Sequence, residues 1–308
     1  MLTTLDIAKM NGSDAFVGLI DETVQLAPEV MVGAARTIKG RQYKTLVRTG
    51  LPPVSFRNAN EGSPASKSNY ENRLVETFIL NPAVEVDKAN ADSHEDGPEA
   101  AIAIEAAGVM EASMQLLSKQ FYYGTSSDAK GHPGLVGSYD AANMTVDATG
   151  TSADQATSAW LVKFGRGDVT WVWGENGQMD MRDPREVRLT DTDGNPYDGY
   201  RAPLCAYPGL QVGSKRSAVR IANLTAQSGK GLTDALLNDA LGKFPVGQPD
   251  AIFLTRQSLL QLANSRVQTT RNAQGTPPAI PTEIAGIGGV NIPIYATNGI
   301  SNTEAIVP

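Results

Sequence analysis

Cysteine and histidine are both scarce in this chain of 308 residues. The single cysteine, Cys205, excludes an internal disulfide framework and a cysteine-based zinc site, and it makes an intracellular origin the simpler expectation. The two histidines, His94 and His132, fall in predicted loops, where we expect them to be exposed to solvent. Metal sites and acyl-transfer triads use histidine with partners at defined spacing. We therefore expect no metal, no other cofactor and no histidine-based catalysis.

Clusters of basic residues and long apolar runs are also missing. Lys and Arg number 26 against 33 Asp and Glu, a net charge of -7, and the basic residues are scattered. Phosphate binding needs clustered cations, so we expect weak or no specific binding of DNA. Residues 1–14 lack the basic and apolar parts of a signal peptide, and no run of about 18 apolar residues is evident. The sequence thus predicts a soluble protein made in the cytoplasm, with no membrane partner.

The short motifs that could carry chemistry each lack a required residue. Residues 191–194 resemble the opening of a calcium loop, but Ala202 stands where a bidentate Glu is required. The glycines of residues 286–289 do not make a dinucleotide fingerprint, and residues 229–230 lack the upstream glycine of a phosphate loop. Residues 166–168 match an adhesion tripeptide, which a turn between two strands explains better. With no suitably spaced carboxylate pair either, we predict no catalytic residues.

One long helix, predicted over residues 97–123, organises the rest of the chain. Asp96 with Glu99 is typical of a capping box, Pro98 suits a first helical turn, and Gly124 can end the helix in a left-handed conformation. The helix would be roughly 40 Å long and could lie across a sheet. Its predicted core stripe consists of Ile102, Val109, Met110, Leu117 and Phe121.

Before this helix come a short helical segment and an unusual hairpin. Residues 1–30 predict two short helices, the second beginning at Ser13 or Asp14 and ending before Pro28, with too little apolar surface to fold alone. Alternation with period two then predicts strands near residues 42–48 and 73–80. The segment between them is long, polar and rich in proline, whereas most connections have about 4–6 residues. We interpret it as an arm that reaches away from the core.

After the helix the pattern changes twice. Strands predicted at residues 160–164, 169–173, 187–189 and 218–224, with a hairpin turn at residues 176–177, suggest an antiparallel sheet beneath the long helix. A helix over 233–243, a strand over 251–254, a helix over 256–266 and a strand over 290–296 then predict a small subdomain of helices packed on a sheet. The fold class predicted from these elements is α+β.

This order of elements resembles the major capsid protein of tailed double-stranded DNA bacteriophages, over nearly the whole chain. The segments that carry the resemblance are RTIKGRQYKTLVRTGLPPVSFRNANEG from Arg36, KSNYENR from Lys67, FYYG from Phe121, GL from Gly134, SAWLVKFGRGDVTWVW from Ser158 and VRIANL from Val219. They are likenesses of whole segments and contain no catalytic signature.

The resemblance implies a division of the chain into named parts. These are an N-terminal arm (1–36), an extended loop overlapping a neighbouring subunit (37–87), a peripheral domain with the spine helix 97–123 and a sheet (88–224), an axial domain (225–290), and a C-terminal strand returning to the peripheral domain (291–308). The implied function is structural: self-assembly into pentamers and hexamers of an icosahedral head that encloses DNA, located in the virion capsid and assembled in the bacterial cytoplasm.

The resemblance also implies partners. Only about 36 residues precede the loop, so we expect a separate scaffolding protein, together with a portal protein and a cement protein. Some relatives crosslink a loop lysine to a neighbouring subunit, and Lys67 is the obvious candidate here. Surface ion pairs between Arg57, Glu61 and Lys67 and the next subunit are the simpler interpretation.

Two alternatives stand beside the phage capsid hypothesis. The first is a cellular encapsulating nanocompartment shell of the same fold with protein cargo, and the second is an α+β enzyme. The scarcity of histidine and cysteine, the failed nucleotide motifs and the long polar hairpin all count against the enzyme.

Overall fold

The chain folds into sheets and helices arranged around one long helix, which confirms the predicted α+β class. The computed structural model describes residues 2–11, 21–23, 25–177, 180–269 and 280–307. The helices are α1 (Thr4–Met10), α2 (Pro28–Val32), α3 (Lys88–Ala91), α4 (Pro98–Tyr123), α5 (Asp234–Gly242) and α6 (Arg256–Thr269). The strands are β1 (Ala35–Thr37), β2 (Gln42–Gly50), β3 (Asn69–Glu76), β4 (Ala83–Asp87), β5 (Thr145–Asp147), β6 (Thr157–Val162), β7 (Val169–Trp173), β8 (Asp180–Met181), β9 (Arg185–Thr190), β10 (Pro196–Cys205), β11 (Pro208–Val212), β12 (Ala218–Leu224), β13 (Ala251–Leu254), β14 (Glu283–Ala285) and β15 (Asn291–Ala296).

Helix α4 is the predicted spine helix, although its start differs from the prediction. The N-cap is Gly97, with a φ of 86° and no side-chain hydrogen bond, so the capping box expected from Asp96 does not form. The backbone N–H of Asp96 instead donates to Nδ1 of His94, in the turn before the helix. At the other end the helix stops at Gly124, which has a φ of 54°, and a Cβ there would lie 2.0 Å from the nitrogen of Gly134. Glycine is therefore needed at position 124 for both its conformation and its size.

The main core forms around the last turns of α4. Phe121 stacks on Trp171 with ring centroids 5.3 Å apart, and it meets Phe253 edge to face at 6.2 Å. Tyr122 contacts Trp160 on the adjacent side of the helix. All five aromatic side chains are buried, and each buries a large apolar area. This aromatic cluster joins the helix to strands of two different sheets.

The largest sheet has six strands in the order β14-β15-β13-β6-β12-β5. Strand β6 pairs antiparallel with β12 on one side and with β13 on the other. Residues from both sides of the expected boundary at 224/225 thus hydrogen-bond within one sheet. The expected C-terminal strand, β15, pairs with β13 and β14 in this same sheet, not in the sheet beside the first half of α4.

A second, smaller core lies under the first half of α4. Strand β10 pairs with β4, β8 and β9, and residues 191–194, which resemble the opening of a calcium loop, lie in the loop of the β9–β10 hairpin. Ile102 of α4 packs there with Val84 and Val86 of β4. Leu2 and Ile7, which flank or belong to α1, complete this cluster. The N-terminal segment therefore finds its apolar partners within its own chain.

The boundaries expected for the arm and the extended loop also shift. Strand β1 spans the expected boundary at 36/37 and pairs with β7 in a three-stranded sheet of order β1-β7-β11. Strand β4 belongs to the sheet of β10, so the true hairpin comprises only β2, β3 and the segment between them. The second strand begins at Asn69 and ends at Glu76, earlier than predicted, because residues 78–80 bond to the chain beside β11.

Three local predictions need correction. The second N-terminal helix falls largely on residues 12–20, outside the described residues; the described residues 21–23 and 25–27 are not helical, and Pro28 begins α2 instead of following a helix. The turn at residues 176–177 belongs to a 3-10 helix and does not join two paired strands. Both histidines are buried instead of exposed: the ring of His132 meets Trp171 edge to face, and burial lowers the pKa of His132 to about 4.

One helix, Pro98–Ser126, is long and apolar enough to cross a membrane when judged by length and composition alone. The sequence was expected to contain no apolar run of this length. The helix nevertheless passes the test, because its many alanines raise the mean hydropathy of a segment that also contains charged residues. The core helix of a soluble protein passes the same test. The packing of Leu117 and Phe121 into the main core gives this helix a partner within the protein.

The C-terminal residues are held by a buried ion pair. Glu304 accepts hydrogen bonds from Nη2 of Arg220 at 3.0 Å, from Oγ of Ser158 at 2.7 Å, and from the hydroxyl of Tyr123. Arg220 and Ser158 lie on β12 and β6, and Tyr123 is the last residue of α4. Because the carboxylate is paired and fully hydrogen-bonded, its burial is tolerated.

A second buried carboxylate, Glu29 of α2, lies against the spine helix. Its side chain accepts hydrogen bonds from the hydroxyl of Tyr122 at 2.6 Å and from Oγ of Ser118 at 3.0 Å. Its main-chain oxygen accepts one from Nε1 of Trp171 at 3.0 Å. Burial raises the pKa of Glu29, although the hydroxyl donors oppose this shift.

Leu117→Ala should lower the free energy of unfolding of the subunit by about 2–5 kcal/mol, because it opens a cavity at the contact between α4 and the main core. Urea unfolding of the unassembled subunit measures this loss. Met31→Ala, at an exposed apolar residue, is the control and should change the free energy by less than about 0.5 kcal/mol. Equal effects of the two substitutions would contradict the packing of α4.

Glu29 should make the subunit less stable as the pH rises above the ordinary glutamate pKa of 4.5. The unfolded chain releases this proton near its ordinary pKa, whereas the folded protein keeps it to higher pH. Between the two pKa values the folded state binds more protons, so the free energy of unfolding falls with increasing pH. Glu29→Gln should flatten this part of the curve in urea titrations, whereas the exposed Glu99→Gln should leave it unchanged. A wild-type slope that persists in Glu29→Gln would show that another group is responsible.

Candidate functional site

Among the described residues, none from the β2–β3 hairpin belongs to either of the two cores. The strands pair antiparallel from Gln42↔Glu76 at the root to Gly50↔Asn69 at the outer end, with an irregularity between Arg48 and Gly50. Side chains on the outer part of both strands are mostly exposed. Apolar residues are included among them, notably Leu46 and Leu74. The hairpin therefore offers both faces of its outer part to solvent or to another molecule.

The root of the hairpin is firmly attached. The hydroxyl of Tyr43 hydrogen-bonds to Oε1 of Gln211 on β11, and Nη1 of Arg73 donates to the carbonyl of Gly213 at 3.0 Å. The backbone N–H of Phe78 donates to the carbonyl of Pro208 at 2.8 Å. These contacts lie at one end of the hairpin, so its direction is fixed while its far end extends from the body.

The segment between the strands, residues 51–68, carries apolar side chains into solvent. Leu51, Val54 and Phe56 are each almost fully exposed. Single exposed apolar residues are ordinary on protein surfaces, but a group of them on one projecting segment indicates an interaction site. The prediction of a projecting arm was based on the polarity of this segment and missed these apolar residues. The signal that could have revealed them is the short run LPPVSF, where apolar residues alternate with proline and serine.

The three residues predicted to contact another subunit are placed differently from one another. Arg57 donates from Nη1 to the carbonyl of Glu61 at 2.6 Å, and Oε2 of Glu61 accepts the backbone N–H of Asn58 at 3.0 Å. Arg57 and Glu61 thus help to shape a turn, in which Asn60 has a φ of 71°. Hydrogen bonds from Asn58 lower the pKa of the Glu61 carboxyl. Lys67 is exposed on the return side of the segment.

The five residues predicted for the core stripe of the spine helix are not all equally buried. Ile102, Leu117 and Phe121 are buried, whereas Val109 and Met110 are only partly buried. Ile102 belongs to the smaller core, and Leu117 and Phe121 belong to the main core. The central part of the helix is therefore more open than either end. The buried polar residues Ser118 and Gln120, absent from the predicted stripe, bond to Glu29 and to the carbonyl of His132.

Within the described residues, no group of three or more His, Cys, Asp or Glu side chains is placed to hold a metal ion. Cys205 is a free cysteine of intermediate exposure.

Comparison with known proteins gives a consistent picture. The family model for Major capsid protein GP7 matches residues 23–308. The cryo-EM structure of bacteriophage Epsilon15 is similar over 100% of this chain and 97% of that chain, with 21% sequence identity and a TM-score of 0.78, which shows a shared fold. A structure from Mycobacterium phage Adephagia (12% identity, 72% of this chain, 97% of that chain) and the holo-SrpI encapsulin complex from Synechococcus elongatus (10% identity, 74% and 98%) both have TM-scores of 0.49. No curated protein matches the sequence.

The family match extends over most of the chain, including the β2–β3 hairpin, α4 and the six-stranded sheet. The resemblance inferred from the sequence segments is thereby confirmed, and the phage capsid hypothesis is preferred over the nanocompartment shell. The chain belongs to the Major capsid protein GP7 family and is a structural protein of the bacteriophage capsid.

Proposed function

We propose that subunits assemble as the pentamers and hexamers of the phage head, and that residues 51–68 of each subunit bind a neighbouring subunit. The observation that carries this proposal is the exposure of Leu51, Val54 and Phe56 on a hairpin attached only at its root. Side chains of this kind gain about 1.5–3 kcal/mol each when they are fully buried. A contact repeated around a rotation axis needs two different surfaces on each subunit, a projecting one and a receiving one.

The charged residues of the segment would act at the edge of this contact. Arg57 and Glu61 keep the turn in one conformation, which reduces the entropy lost when the segment is ordered on a neighbour. Lys67 and the guanidinium nitrogens of Arg57 other than Nη1 would form ion pairs with that neighbour. Each such pair at an exposed position is worth about 0–1 kcal/mol, so apolar burial provides most of the free energy.

The sheet topology supports a revised division of the subunit. We assign the peripheral domain to α4 together with β4, β8, β9 and β10, which enclose the smaller core. The axial domain comprises the six-stranded sheet with α5 and α6. The arm covers residues 1–36 and the extended loop is the β2–β3 hairpin. The last turns of α4 connect the two domains through the aromatic cluster.

Further proposals come from the likeness of the segments between Arg36 and Leu224 to capsid proteins of tailed phages. Assembly would take place in the bacterial cytoplasm with a separate scaffolding protein, and the finished head would include a portal protein and a cement protein. The net charge of -7 supports a shell that encloses DNA without binding it tightly. The subunit would act by assembly and not by catalysis.

Deletion of residues 62–68 should leave the subunit folded but prevent or strongly reduce closed shells. The deletion shortens the projecting segment, so the apolar residues no longer reach the neighbour, while the root contacts at Tyr43 and Arg73 remain. Electron microscopy of purified protein, expressed alone and with a scaffolding protein, measures shell formation. A control in which residues 62–68 are replaced by Gly and Ser of equal length separates reach from side-chain contacts. Normal shells from the deletion would refute the assignment of this segment.

Phe56→Ser should reduce the yield of closed shells by about tenfold or more, since about 1.4 kcal/mol per contact corresponds to a factor of ten. The substitution removes an exposed side chain, so unfolding of the free subunit should be unchanged. Val246→Ser, at another exposed apolar residue outside the hairpin, is the matched control. Shell yield is measured by sedimentation of assembly mixtures. Equal yields from Phe56→Ser and wild type would exclude Phe56 as a contact residue.

A further inference from the structure

A strongly basic groove lies at the root of the hairpin, on a chain that is acidic as a whole. It has a volume of about 660 Å³ and lies between β2, the loop joining β6 to β7, and the loop joining β11 to β12. Five cationic side chains and one carboxylate line it: Arg48, Arg73, Arg166, Lys215, Arg216 and Asp140. The hypothesis that basic residues are scattered holds for the sequence, but the fold brings these five together from distant positions.

The carboxylates beside the groove neutralise only part of its charge, since Glu71 pairs with Arg73 at 3.7 Å and Asp140 lines the groove. Asp168 pairs with Lys163 at 3.5 Å and accepts a hydrogen bond from Oγ of Ser217 at 2.6 Å. Asp140 accepts a hydrogen bond from Nδ2 of Asn143 at 2.9 Å. Among the described residues, Arg48, Arg166, Lys215 and Arg216 form no ion pair. The groove therefore has an unbalanced positive charge.

The walls of the groove are held in place by backbone contacts. Arg73 donates from Nη1 to the carbonyl of Gly213, which ties the hairpin to the loop containing Lys215 and Arg216. The backbone N–H of Gly213 donates to the carbonyl of Asp168 at 3.0 Å, and that of Asp140 donates to the carbonyl of Lys215 at 2.8 Å. Cations presented on fixed walls lose little entropy when an anionic partner binds.

The same chain has a complementary surface. Between Lys88 and Lys119 the sequence contains six carboxylates and no Lys or Arg. Asp92, Asp96 and Glu99, around the start of α4, are exposed. These three carboxylates form an acidic edge at the start of α4, whereas Glu105 lies about 120° away around the helix axis and is not part of it. This acidic edge of α4 and the basic groove lie on separate parts of the subunit.

We propose that the basic groove binds the acidic edge of α4 on a second copy of this chain. The inference rests on the proposed assembly, in which each subunit contacts its neighbour through two different surfaces. The groove adjoins the hairpin, so one neighbour can contact both. Its cations converge in a confined space instead of following an extended stripe, which favours a protein segment over the regularly spaced phosphates of DNA. Complementary charges of this kind select the partner and its orientation.

A charge-exchange experiment tests this pairing in shell assembly. Arg166→Glu with Lys215→Glu should lower the shell yield by about tenfold, as should Asp96→Lys with Glu99→Lys, since about 1.4 kcal/mol corresponds to that factor. The protein carrying all four substitutions should regain a yield within about twofold of wild type, because the opposite charges meet again. The neutral pair Arg166→Gln with Lys215→Gln should give an intermediate loss. Lys243→Glu, at an exposed cation outside the groove, is the control, and circular dichroism with urea unfolding verifies that each subunit is folded.

Each alternative outcome is distinguishable. Absence of shells from wild type and from Lys243→Glu would refute the proposed assembly itself. Normal shells from the groove variants, with wild type also normal, would overturn the groove alone. Normal shells that retain less DNA would identify nucleic acid as the ligand and overturn binding to a second copy. Loss of shells in both pairs without recovery in the fourfold variant would exclude the edge of α4 as the occupant.

Discussion

The contact between the last turns of α4 and the two tryptophan-bearing strands holds the subunit together. Phe121 and Tyr122 lie on adjacent sides of the helix, where they contact Trp171 of β7 and Trp160 of β6. Since these strands belong to different sheets, the helix end is where the three-stranded and six-stranded sheets meet. Two further attachments of α4, to Glu29 and through Tyr123 to Glu304, are made within the same two turns. The hairpin depends on this arrangement too, because its root is bonded to β11 beside β7.

Local sequence patterns predicted much of the secondary structure but little of its pairing. The strands Val169–Trp173, Ala218–Leu224 and Ala251–Leu254 were predicted with their observed bounds, because each is a short and mostly apolar run. Which sheet each strand joins depends on contacts between distant residues, such as Val162 with both Ala218 and Ala251. Nothing in the spacing of these residues indicates that pairing. For this reason the class of fold could be predicted, whereas the order of strands in its sheets could not.

The candidate site, too, could be predicted only in part from local sequence patterns. A long polar segment between two strands was recognisable as a projecting arm, and Arg57, Glu61 and Lys67 were its evident charges. Whether a charge faces another subunit or its own backbone depends on the fold of the turn, and Glu61 is bound within its own turn. His132 illustrates the converse: a histidine in a loop was expected in solvent, but the loop crosses the end of α4 where Gly124 and Gly134 meet, and the ring is covered by Trp171.

The exposed apolar residues of the projecting segment have a consequence for the kinetics of shell growth. A free subunit keeps Leu51, Val54 and Phe56 in water, and so does any subunit at the edge of an incomplete shell. The first few subunits to associate cover only some of these side chains, whereas a subunit that fills a gap covers its own and those of its neighbours. Under the proposed assembly, nucleation is therefore the slow event and closure of the last gaps is the most favourable. Complete shells should coexist with free subunits, and partial shells should be rare at equilibrium.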